Sequence, residues 1–448
     1  VFVCYGKGRG RMIKEKNFFD RAETALDSPY FVPVALVYGI FCWFFKAPLV
    51  AVGGYFAAFM LILLLCKNVR NIFSLVFYVS FFITDIAIEA DWAFYGTVIG
   101  IAAVTLVLVL AVRSKRNPEP VKKGRLLFPF MLFSAALALG GVIGRFNPLA
   151  FVIVVGFCVV DYVLYYIALN FTQDLGKRLA FMFIIGAAVL SLQVFLDVVG
   201  AVDYRPFETG GFLSAQTENT TAIFIALGIA GCFYFGYGQR RDALFFVLSV
   251  VFAVMTVATR CRMMIAVAAV MEIFLFVAFI VKSDKKTRFL YVLLAIAAAT
   301  ALLFCFYDVL LKPFFDLLAQ KLAMSSSGRD TLFPWCFEKF AEYPLFGYGF
   351  PTEEVIPNVR GIIVLAHNSL LQWLCSLGLV GTTMTIWFYI TKYKTVFDKR
   401  NDERLFTALA VLCVACSGIM DQAATMDFFV ALLPLILVAS AEKNIDKK

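Results

Sequence analysis

The chain of 448 residues holds a single histidine, His367, followed by Asn368, at the point where a polar stretch enters an apolar run. Two arginines, Arg260 and Arg262, crowd the short turn that begins at Thr259 between two apolar runs. A third, Arg329, follows Ser325-Ser326-Ser327-Gly328 and opens an amphipathic stretch that carries Trp335. Guanidinium groups are planar, permanently charged forks that grip phosphate oxygens in pairs. Two cations in a tight turn at the edge of a bilayer are costly, so a compensating anion is expected. Nearby arginines and a helix N-terminus both disfavour imidazolium, so His367 is expected to be neutral at pH 7 and able to accept a proton.

Each feature alone has an ordinary explanation: headgroup snorkelling for the arginines, a serine cap before Gly328, a polar loop histidine. Their occurrence on one side of the chain's topology points to a shared task. Arginines that neutralise a diphosphate make it a good leaving group. A base beside them can deprotonate an acceptor alcohol. The residues therefore fit glycosyl transfer from a lipid diphosphate, with fixed cations supplying most of the electrostatic stabilisation. Carboxylates expected on the same side (Glu218, Glu208, Asp203 and Asp421) are alternatives to His367 as the base.

The elements that must position these groups are dictated by composition. The chain is 62% hydrophobic and only 16% charged, with a mean hydropathy of +0.86. Soluble domains carry roughly 25% charged residues. Fourteen apolar segments recur, eleven within 31–307 and three within 369–441. Backbone amides in lipid must be satisfied inside their own segment, so these segments read as helices. The expected fold is all-α: a polytopic transmembrane bundle of about 12–14 spans with one long extracytoplasmic loop containing short helices. In outline, 1–30 is a cytoplasmic basic arm, 31–307 holds spans 1–11, 308–368 is the outer loop, 369–441 holds spans 12–14, and 442–448 is a cytoplasmic tail. Within the loop, 309–323 reads as an interfacial amphipathic helix, and a second helix runs from Arg329 to Glu342, ending at Pro344 and the turn Gly347-Tyr348-Gly349.

Charge sets the orientation. The eight segments on one side of this topology hold 30 of the 40 Lys and Arg, so that side and both termini are expected to be cytoplasmic. The charged N-terminal arm has no early apolar region, which argues against a cleavable signal peptide. The net charge of +9 is spread over short loops, so no nucleic-acid partner is expected. Most of the 11 cysteines lie in apolar runs, and no Cys/His cluster suggests a metal. Acids within apolar runs (Asp85, Asp161, Asp197, Glu272) keep open a transporter or lipid-linked-oligosaccharide flippase as an alternative. No internal repeat and no matched pair of broken helices supports that alternative.

Residues 328–349, then Ala366-His367-Asn368-Ser369-Leu370-Leu371 and Leu377-Gly378-Leu379-Val380-Gly381, resemble the O-antigen ligase / O-antigen polymerase family. The shared features are a Gly-Arg, a nearby Trp, a Pro-x-x-Gly-x-Gly turn, a His-Asn at the foot of a helix and a Gly-x-x-Gly after it. The Thr259-Arg260 turn is similar to that family's Ser-Arg element, and Glu218-Asn219 to its preceding outer loop. The resemblance implies an inverting, metal-independent glycosyltransferase of the bacterial cytoplasmic membrane, without a cofactor, working on the extracytoplasmic side. Its donor would be an undecaprenyl-diphosphate-linked glycan and its acceptor a glycan or a lipid-linked molecule, with membrane lipid as its surroundings. Arg260 and Arg329 would bind diphosphate, and His367 would activate the acceptor. Arg262, Gly328, Asn368, Glu218, Asn219 and Trp335 are candidate substrate contacts.

Overall fold

The computed structural model describes residues 18–45, 47–79, 104–113, 122–143, 148–198, 218–237, 242–259, 261–282, 284–305, 312, 329–349, 368–420 and 428–446. These residues form sixteen helices and no strand. In chain order they are α1 (Phe18–Leu26), α2 (Phe31–Phe44), α3 (Pro48–Leu65), α4 (Ile72–Val79), α5 (Val104–Arg113), α6 (Leu127–Ile143), α7 (Pro148–Phe171) and α8 (Leu175–Val198). There follow α9 (Glu218–Gly236), α10 (Asp242–Ala258), α11 (Arg262–Lys282), α12 (Lys285–Cys305), α13 (Arg329–Glu342), α14 (Ser369–Val396), α15 (Arg404–Met420) and α16 (Phe428–Asp446).

All fourteen apolar segments carry helix over some or all of their length, and the protein is a polytopic helical membrane protein. Four helices among the described residues are by themselves long and apolar enough to cross a membrane: Leu175–Leu196, Asn219–Gly236, Arg262–Lys282 and Ser369–Val396. A pair bent by 73°, Asp20–Leu26 with Phe31–Cys42, would be a fifth. At 1.5 Å per residue, the 21 residues of α11 reach about 30 Å, the thickness of the hydrocarbon layer. Large apolar side chains such as Val270, Ile273 and Phe289 face outward, as they must where the solvent is lipid.

α9 forms the centre. Every residue from Thr220 to Phe233 is buried, which requires a helix that is apolar all round. It packs against α8, α10, α11 and α15. Apolar burial drives little association in lipid, so close backbone approach must replace it. Gly231 provides that approach: a Cβ there would lie 2.6 Å from the carbonyl oxygen of Ala180 on α8.

One end of the bundle is tied together by polar groups from the basic loops. Arg70 pairs with Asp27 at 2.9 Å, and Arg178 donates to the carbonyls of Asp27 and Ser28 at 3.2 Å each. Lys122 pairs with Asp446 at 2.7 Å. Glu442 accepts from the Tyr165 hydroxyl at 2.7 Å and from the Arg125 amide at 2.9 Å. Glu403 accepts from Tyr234 at 3.0 Å and Ser440 at 3.1 Å. Arg400, hydrogen-bonded to Asp398, holds that carboxyl well below the usual carboxylate range.

Two segments differ from the sequence expectation. Part of the N-terminal arm is the helix α1, whose Phe18, Ala22, Ala25 and Leu26 recur at helical spacing. The span drawn over 369–390 is broken inside, at Gly378, and continues to Val396. The amphipathic helix expected over 309–323 lies, apart from residue 312, outside the described residues.

Replacing Gly231 by Val should wedge α8 from α9. Overpacking of this kind costs about 1–3 kcal/mol. Thermal unfolding of purified protein in detergent should show a lowered midpoint, and an unchanged midpoint would contradict the close contact.

Candidate functional site

The site is built around the break in α14. Gly378 has φ 63° and ψ −167°, so the helix stops and restarts. A break leaves carbonyls before it and amides after it without intrahelical partners. Here the turn after α13 supplies them. The carbonyls of Cys375 and Ser376 accept from the amides of Tyr348 (2.7 Å) and Gly349 (3.2 Å). The amides of Leu379 and Val380 donate to the carbonyls of Pro344 (2.8 Å) and Leu345 (3.1 Å). The fit is backbone against backbone. A Cβ at Gly347 (φ +78°) would lie 2.4 Å from the amide nitrogen of Leu377, and one at Gly378 would lie 2.5 Å from the carbonyl of Leu345.

Through this turn, α13 is laid along the first part of α14. Leu332 and Cys336 of α13 share a buried cluster with Leu371 and Cys375 of α14, flanked by Phe333 and Trp335. The two helices therefore run the same way, with their N-termini at matched ends. The Trp335 ring meets Tyr348 edge-on at 5.6 Å, and Tyr343 meets Tyr348 at 5.5 Å. Lys339 pairs with Glu342 at 2.8 Å, and this hydrogen bond raises its pKa. Phe337, Leu345 and Phe346 remain exposed, an apolar surface suited to a membrane interface.

The expected site residues divide as follows. Arg329 opens α13 and Glu218 opens α9, but their side chains are outside the described set. His367, Arg260 and Gly328 lie outside the described residues. Asn368 caps α14: its side chain accepts from the Leu371 amide at 2.9 Å. Trp335 is half-buried in the α13–α14 packing. Asn219 is half-buried in the first turn of α9. Arg262 is exposed at the first position of α11, after a turn braced by Thr259, whose hydroxyl donates to the Thr256 carbonyl at 2.7 Å.

Connectivity puts these helix starts at one end of the bundle. α9 ends beside the polar network, with Tyr234 on Glu403 and Lys282 of α11 lying 5.1 Å from the Tyr237 ring. The starts of α9 and α11 are therefore at the opposite end. α14 likewise finishes just before Asp398 in the network, so its Asn368 cap is also at the opposite end. The structure brings α13, its turn and the foot of α14 into direct contact. The main packing of α11 runs instead to α9, α10, α12 and α15. A hollow between α3 and α5, lined by Leu63, Lys67, Val109 and Arg113 among others, is separate from these helix starts. Among the described residues, no group of three His, Cys, Asp or Glu side chains is placed to hold a metal ion.

The pairing of turn and break was missed from sequence, although Gly347, Gly349 and Gly378 were its signal. All three adopt positive φ. Ala at Gly378 should cost about 1–3 kcal/mol through backbone strain alone. It should also expel the turn. Amide hydrogen exchange at residues 344–349 should rise in that variant, whereas unchanged protection would contradict the docking.

Residues 246–386 match the model of the O-antigen ligase family. The match contains Arg260, Arg262, Arg329, Trp335, His367 and Asn368, and it leaves out Glu218 and Asn219. No curated protein and no solved structure matches the chain. The motifs around Gly328-Arg329, the docked turn, His367-Asn368 and Gly378 all lie within the matched stretch, and the match supports the O-antigen ligase family.

Proposed function

We propose that the chain transfers a glycan from an undecaprenyl-diphosphate donor to an acceptor hydroxyl at the outer face of the bacterial cytoplasmic membrane. The match of residues 246–386 to the O-antigen ligase family supports glycosyl transfer. The observation that carries the reading is the docking of α13 on α14. It holds the chain that bears Arg329 beside the foot of the helix that follows His367.

In this mechanism Arg260 and Arg329 grip the diphosphate, with Arg262 adding charge from the same turn. The acceptor oxygen attacks the anomeric carbon as the bond to the diphosphate oxygen breaks. His367 takes the hydroxyl proton, and the lipid diphosphate leaves. Attack opposite the leaving group inverts the anomeric centre. Charge neutralisation by arginine replaces the task a metal would perform, so transfer proceeds in chelator. Trp335, Gly328, Asn368, Glu218 and Asn219 are proposed contacts around the donor, with Asn368 acting through the cap it gives α14. A ligase and a polymerase would differ only in acceptor: a lipid-anchored core in one, a growing glycan in the other. The excess of Lys and Arg in the loops at the opposite end supports an outward-facing site with both termini cytoplasmic.

A flippase reading draws on Glu272, a half-buried acid on α11 that accepts from Ser249 at 3.3 Å. The two readings predict different variants to fail. Under glycosyl transfer, His367→Ala should lower turnover by about 10²–10⁴-fold while donor binding persists. Arg260→Ala should weaken donor binding by about 10–100-fold, and Arg260→Lys should recover little because an ammonium lacks the planar fork. Steady-state transfer and lipid-donor binding, measured on the same purified variants, check both. Full turnover by His367→Ala, with loss on Glu272→Gln instead, would favour translocation.

A further inference from the structure

Cys336 lies on α13 and Cys375 on α14, and both are buried, at 3% and 1% exposure. They face each other within the cluster completed by Leu332 and Leu371. Both are free thiols in the structure. The two cysteines are thus neighbours in one small cluster, on two elements whose relative position is set independently by the turn docked at Gly378. Most of the other cysteines lie inside single apolar spans, where they pack as small hydrophobes.

We propose that Cys336 and Cys375 form a disulfide that clamps α13 to α14 and closes the loop leading to His367. The inference rests on the outward orientation proposed for this end, because disulfides persist in oxidising compartments. The oxidant is the disulfide of an extracytoplasmic thiol–disulfide carrier, met while α13 is still undocked. The Cys336 thiolate attacks one carrier sulfur, breaking the carrier disulfide and releasing one carrier thiol. The Cys375 thiolate then attacks the Cys336 sulfur, forming the new bond and releasing the second carrier thiol. Two electrons and two protons pass from the cysteine pair to the carrier, which leaves as a dithiol.

The clamp has a stated consequence. Reduced protein would hold α13 by the turn and the small apolar cluster alone. Oxidised protein would fix the helix that starts at Arg329 covalently against the helix that follows His367.

The test is thiol counting on full-length protein in native membranes, quenched in acid, denatured and treated with a mass-tagged maleimide. Two of the 11 cysteines should resist the tag until reductant is added, and peptide mapping should join Cys336 to Cys375. Cys336→Ser should free Cys375 for tagging, and the reverse. Tagging of all cysteines without reductant would overturn the proposal. A parallel arm reads orientation: Glu338→Cys, in a Cys336→Ser/Cys375→Ser background, is treated in intact cells with a membrane-impermeant maleimide. Labelling from outside together with free native thiols would sink the disulfide and leave the orientation standing. Labelling only in inside-out vesicles would overturn the orientation, and the disulfide with it.

Discussion

An interrupted helix inside a membrane protein is the constraint from which the site follows. Unpaired backbone groups in a low-dielectric layer cost several kcal/mol each. α14 breaks at Gly378 and hands that debt to the loop before it, whose Pro344–Gly349 turn satisfies two carbonyls and two amides. The turn cannot leave without exposing them, and a Cβ at Gly347 or Gly378 would run into the facing backbone. A loop that hydropathy would describe as a mobile surface segment is therefore a structural plug. α13, immediately before the plug, inherits its register along α14. The two helix starts that bracket Arg329 and His367 in sequence are held at one level for that reason.

The bundle has two chemically different ends. At one end carboxylates and basic side chains close on each other: Asp27 with Arg70, Asp446 with Lys122, and Asp398 with Arg400 and Arg125. That end spends its charge on itself. At the other end the start of α11 presents Arg262 to solvent, and α13 presents aromatic and apolar side chains around Trp335. An exposed guanidinium suits an anion, and an interfacial aromatic surface suits a lipid-borne one. The matched stretch, residues 246–386, contains Arg262, α13 and the break at Gly378 but none of these ion pairs.

Much of the architecture was legible in the sequence, because hydropathy and helix capping are local. The apolar segments carry helix, and the limits expected for α13, Arg329 to Glu342, agree with the structure. α1 was overlooked because a charged arm conceals its apolar stripe of Phe18, Ala22 and Leu26. The break at Gly378 sits between Leu377 and Leu379, so hydropathy runs through it unchanged. Only a partner 30 residues earlier in the chain reveals it. α14 outruns its expected end because Lys392 is buried with its ammonium 3.7 Å from the Tyr389 ring, a cation that aromatic faces can hold inside a helix bundle. The Cys336–Cys375 contact is a tertiary fact with no signature in spacing. Of the site itself, motif order pointed to the right stretch of chain, while the capping work of Asn368 became visible only in the fold.

The central claim is that this end of the bundle moves glycan from a lipid diphosphate to a hydroxyl. The most direct measurement is a purified reconstitution in proteoliposomes with undecaprenyl-diphosphate-linked glycan, candidate acceptors and chelator, following glycan on the acceptor and free undecaprenyl diphosphate together. Stoichiometric appearance of both, with inverted anomeric configuration in the product, is the predicted result. Movement of intact donor between leaflets with no new glycosidic bond on any acceptor would contradict it.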